Sequence, residues 1–158
     1  MRFSKNILAL ALVTTASIAF AQPSAPAAPA GAYVAPPWTY KTKQLNRAQV
    51  DALLAKPKKV LIIDVRRPDE LISKGSFPVF LSIQVKDVER NLGLIPKDRS
   101  IILVSNRAHR AGAVGDILST KGFKVAGATG SLDYEEQGGT VARITPPPPK
   151  VAAAASAP

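Results

Sequence analysis

The chain has 158 residues, a formal net charge of +10 and 46% apolar residues, enough for one domain with a real core. It contains no cysteine, which excludes structural disulfides and thiolate ligation, and a single histidine, His109, which argues against a histidine-based metal centre. The excess positive charge comes without an arginine-rich run, an aromatic ladder or zinc-ligand spacing, so no nucleic-acid partner is expected and a solvated basic surface is the simpler reading.

Residues 1–21 read as a secretory signal peptide. Arg2 and Lys5 give the positive start, Ile7 to Phe20 the apolar stretch, and Ala19-Phe20-Ala21 the small-x-small cleavage pattern before Gln22. The apolar stretch is shorter than the roughly 20 residues of a spanning helix, so no stable membrane span is expected after cleavage. Loss of Arg2 and Lys5 lowers the net charge from +10 to +8. Residues 22–42 are a linker rich in Pro and Ala, with Trp38 and Tyr40 marking where the chain first touches the body.

The folded body is assigned to residues 43–144. Asn46 to Lys56 predicts a helix, with Asn46 and Gln49 forming a capping box and Val50, Leu53 and Leu54 on one face. Pro57 ends it. Val60 to Val65 is a continuous apolar run, the pattern of a strand buried on both faces of a parallel sheet. Pro68 to Ile72 is a short helix whose acids, Asp69 and Glu70, suit its first turn, and Gly75 ends it. Val79 to Val85 predicts a second strand and Asp87 to Leu92 a short helix. Ile101 to Val104 is another buried strand. Ala111 to Lys121 is a helix in which Gly115 allows close packing on the sheet. Phe123 to Ala128 is a strand, and Ser131 to Gln137 a last helix with Ser131 as its cap. Asp133, Glu135 and Glu136 read as a solvated face. Residues 145–158, beginning Thr145 and four prolines, form a Pro/Ala-rich tail expected to be disordered. Strands alternating with helices imply an α/β fold, a small parallel sheet flanked by helices on both faces.

Between the third strand and its helix lies Ser105-Asn106-Arg107-Ala108-His109-Arg110. This loop resembles the active-site loop of the rhodanese family, strand, Cys-Arg-x-Gly-x-Arg, helix, with Ser105 in place of the cysteine, Asn106 in place of the first arginine and Ala108 in place of the glycine. Two further places carry the resemblance. Leu61-Ile62-Ile63-Asp64-Val65-Arg66 followed by Pro68-Asp69-Glu70 is similar to the family's Ile-Asp-Val-Arg-x-Pro-x-Glu opening. Lys121-Gly122-Phe123-Lys124-Val125 with Gly130-Ser131 is similar to its closing segment. Two departures accompany them: Gly75-Ser76-Phe77-Pro78-Val79-Phe80 stands where the family often has Gly-His-Ile-Pro-Gly-Ala, and Glu135 where it usually has tryptophan.

The resemblance implies a thiosulfate sulfurtransferase scaffold that has lost its sulfur carrier. A persulfide requires a soft, polarisable thiolate, whereas a serine hydroxyl is a hard oxygen that stays protonated without a strong base. His109, the one imidazole, is expected to point to solvent, and no Gly-x-Ser-x-Gly elbow is present. No catalytic residue, metal or cofactor is therefore expected. What the resemblance leaves is an anion-binding loop, Ser105 to Arg110, at a helix N-terminus, with Arg110 closing it, Arg107 and Arg66 adding positive charge, and Asp64 with Arg66 organising the sheet edge. Ala108 would be strained if the loop needs a positive φ there. The leading expectation is an exported, periplasmic or secreted protein that is catalytically inactive. It would bind a small oxyanion (thiosulfate, sulfate or phosphate) or a protein partner in the cell envelope. Two alternatives stay open: a sulfurtransferase-family enzyme that uses a partner's cysteine, and a structural envelope protein with a relic rhodanese domain.

Overall fold

A computed structural model of the chain describes residues 33–145. The expected signal peptide at 1–21, much of the expected linker and nearly all of the expected tail lie outside the described residues. Four parallel strands form one sheet in the order β2-β1-β3-β4: β1 is Val60–Asp64, β2 Leu81–Ser82, β3 Ser100–Ser105 and β4 Val125–Gly130. The helices are α1 Arg47–Leu54, α2 Pro68–Lys74, α3 His109–Thr120 and α4 Ser131–Glu136. Around Gln44 the chain adds a short parallel rung outside β4, with the Leu45 amide donating to the Ala128 carbonyl and the Ala128 amide to Lys43.

Alternation along the buried strands divides the core into two layers. Ile63, Val65, Ile101 and Leu103 pack with Val114 and Leu118 of α3. Val60, Ile62, Ile102 and Val104 face the other way, onto Val50 of α1, Phe77 and Tyr134 of α4. Helices therefore cover both faces, the architecture expected of strands that are apolar on both sides. α1 begins with the predicted box: the Gln49 amide donates to Asn46 Oδ1, and the Asn46 amide donates to Gln49 Oε1. Tyr134 anchors α4 to α1 through an O–H···Asp51 bond of 2.6 Å, and burial together with that bond pushes its phenol up to about 12.

Several local expectations change. The strand predicted over Val79 to Val85 shrinks to Leu81–Ser82, because Pro78 lacks an amide hydrogen and the segment lies at the open edge of the sheet. Asp87 to Leu92 is not an α-helix but part of two tight turns, Val85–Asp87 and Glu89–Leu94, the second broken at Asn91. The last strand runs later than expected, from Val125 to Gly130. Ser131 is the first helical residue rather than the cap, a place taken by Gly130.

The register sets the site. Asp64 pairs with Val104, and Ser105 pairs with Gly130. β1, β3 and β4 therefore end together, and the segments after Asp64 and Ser105 leave the sheet side by side. From β1 the chain turns outward to β2, then returns to the other side of β1 to form β3. The crevice between the carboxyl ends of β1 and β3 is thus a topological switch point, where open α/β sheets bind their ligands.

Candidate functional site: the loop after β3

The floor of the crevice is a buried ion pair. Arg66 and Asp64 are both fully buried and joined at 2.7 and 2.9 Å. Arg66 also donates to the Gly75 carbonyl at 2.7 Å, Ser131 Oγ at 2.8 Å and Asn106 Oδ1 at 3.0 Å. All five guanidinium N–H groups are thereby used, and Ser76 Oγ donates to Asp64 at 2.6 Å. Buried charges need this degree of pairing, since an uncompensated ion would cost several kcal/mol. Asp64 and Arg66 knit β1, the end of α2, the loop and α4 together. Arg66 lends no free positive charge to the crevice, contrary to the expectation from sequence: its charge is cancelled by Asp64 and its donors are spent.

Ser105 is the last residue of β3 and is buried. Its Oγ accepts a long hydrogen bond, 3.4 Å, from the Ala111 amide in the first turn of α3. The loop then reverses on Ala108, with φ 61° and ψ −30°, where the Arg107 carbonyl accepts the His109 amide at 2.7 Å. A three-residue turn of this hand is rare and strained for a residue with a Cβ, and Ala108 is completely buried. The strain anticipated for Ala108 is present.

Each of the two loop arginines meets carboxylates. Arg110 forms a fork with Glu70 at 2.6 and 2.9 Å, and Asn106 Nδ2 donates to the same carboxylate at 2.7 Å. The Arg110 hydrogen bond, foremost, holds the Glu70 carboxyl down at about 2 although its partial desolvation works the other way. Arg107 reaches Asp133 at 2.8 Å and Glu136 at 2.6 and 2.7 Å. Asp133 and Glu136 are therefore partners of the loop as well, Glu136 while still exposed, and Glu135 pairs with Arg143. Asn106 is held from both sides, accepting from Arg66 and donating to Glu70, and its carbonyl accepts the Leu132 amide at 3.1 Å.

His109 does not point to solvent. Its ring lies 5.5 Å from that of Trp38 and 5.9 Å from that of Tyr40, and the two aromatics meet edge to face at 5.0 Å. A Cβ on Gly112 would strike both rings, so this helical glycine is what lets residues 38–40 lie against α3. Gly115 serves the same segment: a Cβ there would run into Thr42, not the sheet. The Thr42 hydroxyl and amide both donate to Asp116 at 2.7 Å. One wall of the site is therefore built by the stretch that composition assigns to the linker.

Chemically, the crevice offers a hydroxyl, an amide-bearing helix start and an arginine whose fork is occupied by an internal carboxylate. The hydrogen bond to Ser105 Oγ comes from a backbone amide, which cannot take its proton as a serine nucleophile's base would. Arg110 keeps 38% of its side chain exposed, so an anion approaching it competes with Glu70. Among the described residues no group of three or more His, Asp or Glu is placed to hold a metal ion. Two contributors were missed from sequence. Glu70 read only as a first-turn helix acid; its signal was its place in the Asp64-to-Glu70 motif. The aromatic wall had no such signal, because Trp38 and Tyr40 lie about 70 residues before His109.

No family model matches the chain. It is 23% identical over 90 residues to the putative sulfurtransferase YtwF of Bacillus subtilis, a match spanning 57% of this chain and 86% of that protein. Among solved structures it resembles a rhodanese-related protein from Thermoplasma volcanium, with a TM-score of 0.56 and 24% identity over 63% of this chain and 97% of that one. It also resembles a rhodanese-like domain protein from Staphylococcus aureus, with a TM-score of 0.55 and 21% identity over 65% and 99%. By architecture this chain has the rhodanese-like fold, with a serine hydroxyl at the end of β3 and no cysteine anywhere in the sequence.

Proposed function

We propose that this is an exported rhodanese-like protein that performs no sulfur transfer and uses the loop from Ser105 to Arg110 as a binding module for a small oxyanion of the thiosulfate, sulfate or phosphate kind. The observation that carries the reading is Ser105 itself: it is buried at the end of β3, in a chain without a single thiol. A hydroxyl there carries no persulfide, while a turn feeding a helix start on the loop that carries Arg110 supports the anion reading. Glu70 acts as the resident anion. A ligand binds by displacing that carboxylate from Arg110, so affinity is low until Glu70 yields. Export to the periplasm or the medium rests on the leader pattern at residues 1–21, and a partner in the envelope could approach the same loop.

The test is a calorimetric titration of the wild type, Arg110→Ala and Glu70→Gln with thiosulfate, sulfate and phosphate. Saturable binding is expected for the wild type, to be abolished by Arg110→Ala and tightened about tenfold by Glu70→Gln, as expected when a competing charge close to an arginine is removed. Equal affinity in all three proteins would refute an anion site at the loop. Sulfur transfer on addition of a thiol-bearing protein would replace the binding reading with partner-assisted catalysis.

A further inference from the structure

The charge of the described body is concentrated at one pole. Residues 33–145 contain eighteen lysines and arginines and all eleven acids of the chain. Because the sheet is parallel, the segments entering its strands share its amino edge. Lys56, Lys58 and Lys59 precede β1, Lys97 and Arg99 precede β3, and Lys121 and Lys124 precede β4, all seven exposed. The one acid among these segments is Asp98. The remaining eleven cations are set against ten acids, and most of those acids are bonded to arginines at or near the carboxyl edge. Nearly all the net charge of the body therefore faces outward at the amino edge. Among the described residues none of these seven cations has a carboxylate within ion-pair distance, and Lys97 instead lies over the Phe123 ring.

Beside this basic rim lies an apolar cleft of about 480 Å³, lined by Leu54, Leu61, Val79, Phe80 and Leu81, with Arg99 at its lip. Val79 is 81% exposed. The cleft borders β2, the short open edge of the sheet. Concave apolar surface rimmed by charge of one sign is the pattern of a recognition groove rather than of an ordinary solvated face.

We propose that the amino edge of the sheet docks an acidic protein segment, seating large apolar side chains in the cleft while its Asp and Glu residues meet the lysine rim. Charge decides among the occupants. Residues 1–32 and 146–158 contain no Asp or Glu, so neither can neutralise the rim. A second copy would bring the same positive pole against it. A membrane surface calls for apolar groups that project together from an amphipathic face, whereas here most of the apolar lining is recessed and the cations sit on three separate loops. This surface lies at the opposite edge of the sheet from the Ser105 loop, so the proposal stands independently of anion binding there.

The test is fluorescence anisotropy with a labelled peptide of alternating Glu and Leu/Phe, titrated with the full chain, together with NMR shift mapping. Saturable binding is expected, with shifts at Leu61, Val79 and Phe80, and at least a tenfold loss in both Lys58→Glu/Lys59→Glu/Arg99→Glu and Val79→Asp. Equal binding of a peptide with Ser in place of Leu and Phe would overturn the proposal by reducing the surface to unspecific charge. So would binding confined to phosphatidylglycerol vesicles, self-association through the cleft in sedimentation, or nuclear Overhauser contacts between the cleft and residues 1–32 or 146–158. Circular dichroism of both variants keeps a folding defect from being read as lost binding; should either unfold, Lys58→Ala/Lys59→Ala carries the test.

Discussion

Single residues decide what the crevice can do. Ser105 puts a hydroxyl where the resemblance places a thiol, and Glu70 takes up much of the charge of Arg110 through its fork. The two effects are separable with a thiol probe. In Ser105→Cys the new thiol sits at the end of β3 within reach of the Ala111 amide, on the loop of an arginine that Glu70 already neutralises, so little should depress its pKa; in Ser105→Cys/Glu70→Gln a released Arg110 would stabilise the thiolate. The pH profile of alkylation should shift to lower pH in the double variant, and identical profiles would mean that Arg110 does not reach position 105. Ala108 carries strain worth about 1–3 kcal/mol, against which its buried methyl returns about 0.8 kcal/mol. Ala108→Gly should therefore stabilise the fold by about 1 kcal/mol in urea unfolding. Arg66 has the opposite sensitivity: in Arg66→Lys a point charge replaces a five-donor fork, leaving acceptors around Asp64 unmet, and a loss of about 3 kcal/mol is expected. A loss below 1 kcal/mol would show that the buried network relaxes more easily than its geometry suggests.

At the scale of elements, helix α3 carries two burdens. Its start supports the loop, and Gly112 and Gly115 on its outer side receive residues 38–42. In an isolated helix Gly→Ala would gain roughly 1 kcal/mol. Here the added Cβ of Gly112→Ala would fall 2.6–2.9 Å from the Tyr40 and Trp38 rings, so the packed segment must lift and the substitution should destabilise. Trp38 is the one tryptophan of the chain, and its indole N–H donates to the Thr42 carbonyl at 2.9 Å. A red shift of its emission in Gly112→Ala reports the detachment directly, and an unchanged spectrum with raised stability would show the segment to be adjustable. A helix over 111–121 was legible from its apolar spacing, and the observed one, His109–Thr120, starts two residues earlier. The reason for its glycines was not legible, because it resides in a segment about 70 residues earlier in the chain.

Among the described residues charge is sorted by pole, with paired carboxylates concentrated toward the carboxyl edge and lysines without carboxylate partners at the amino edge. Stability should therefore respond to acid through the carboxylates. Glu70 has a folded-state value of about 2, below its usual 4.5, so its contribution is complete above about pH 4.5 and is lost as pH falls toward 2. The carboxyls of Asp69 and Glu136 are also held low, mainly by hydrogen bonds from Arg67 and Arg107, and add in the same direction. Urea midpoints measured at pH 6 and pH 3 should fall on acidification, and the fall should be smaller in Glu70→Gln. An equal fall in both proteins would place the acid sensitivity elsewhere. Sedimentation behaviour and solubility should follow the basic pole.

The alternation of β1 and β3 with their helices, the capping box at Asn46 and the Asp64-to-Glu70 motif are local patterns, and they were enough to fix an α/β architecture and to place Ser105 just after the Ile101-to-Val104 strand, which the structure extends to Ser105 itself. Composition alone settled that no thiol is available. Pairing between distant parts of the chain was beyond such patterns. A side chain's partner depends on which strand ends the sheet brings together, so Glu70 meets Arg110, Asp133 and Glu136 meet Arg107, and His109 meets Trp38 only in the folded molecule. The basic pole has the same origin: its lysines are scattered from position 56 to position 124 and become one surface because parallel strands begin at a common edge.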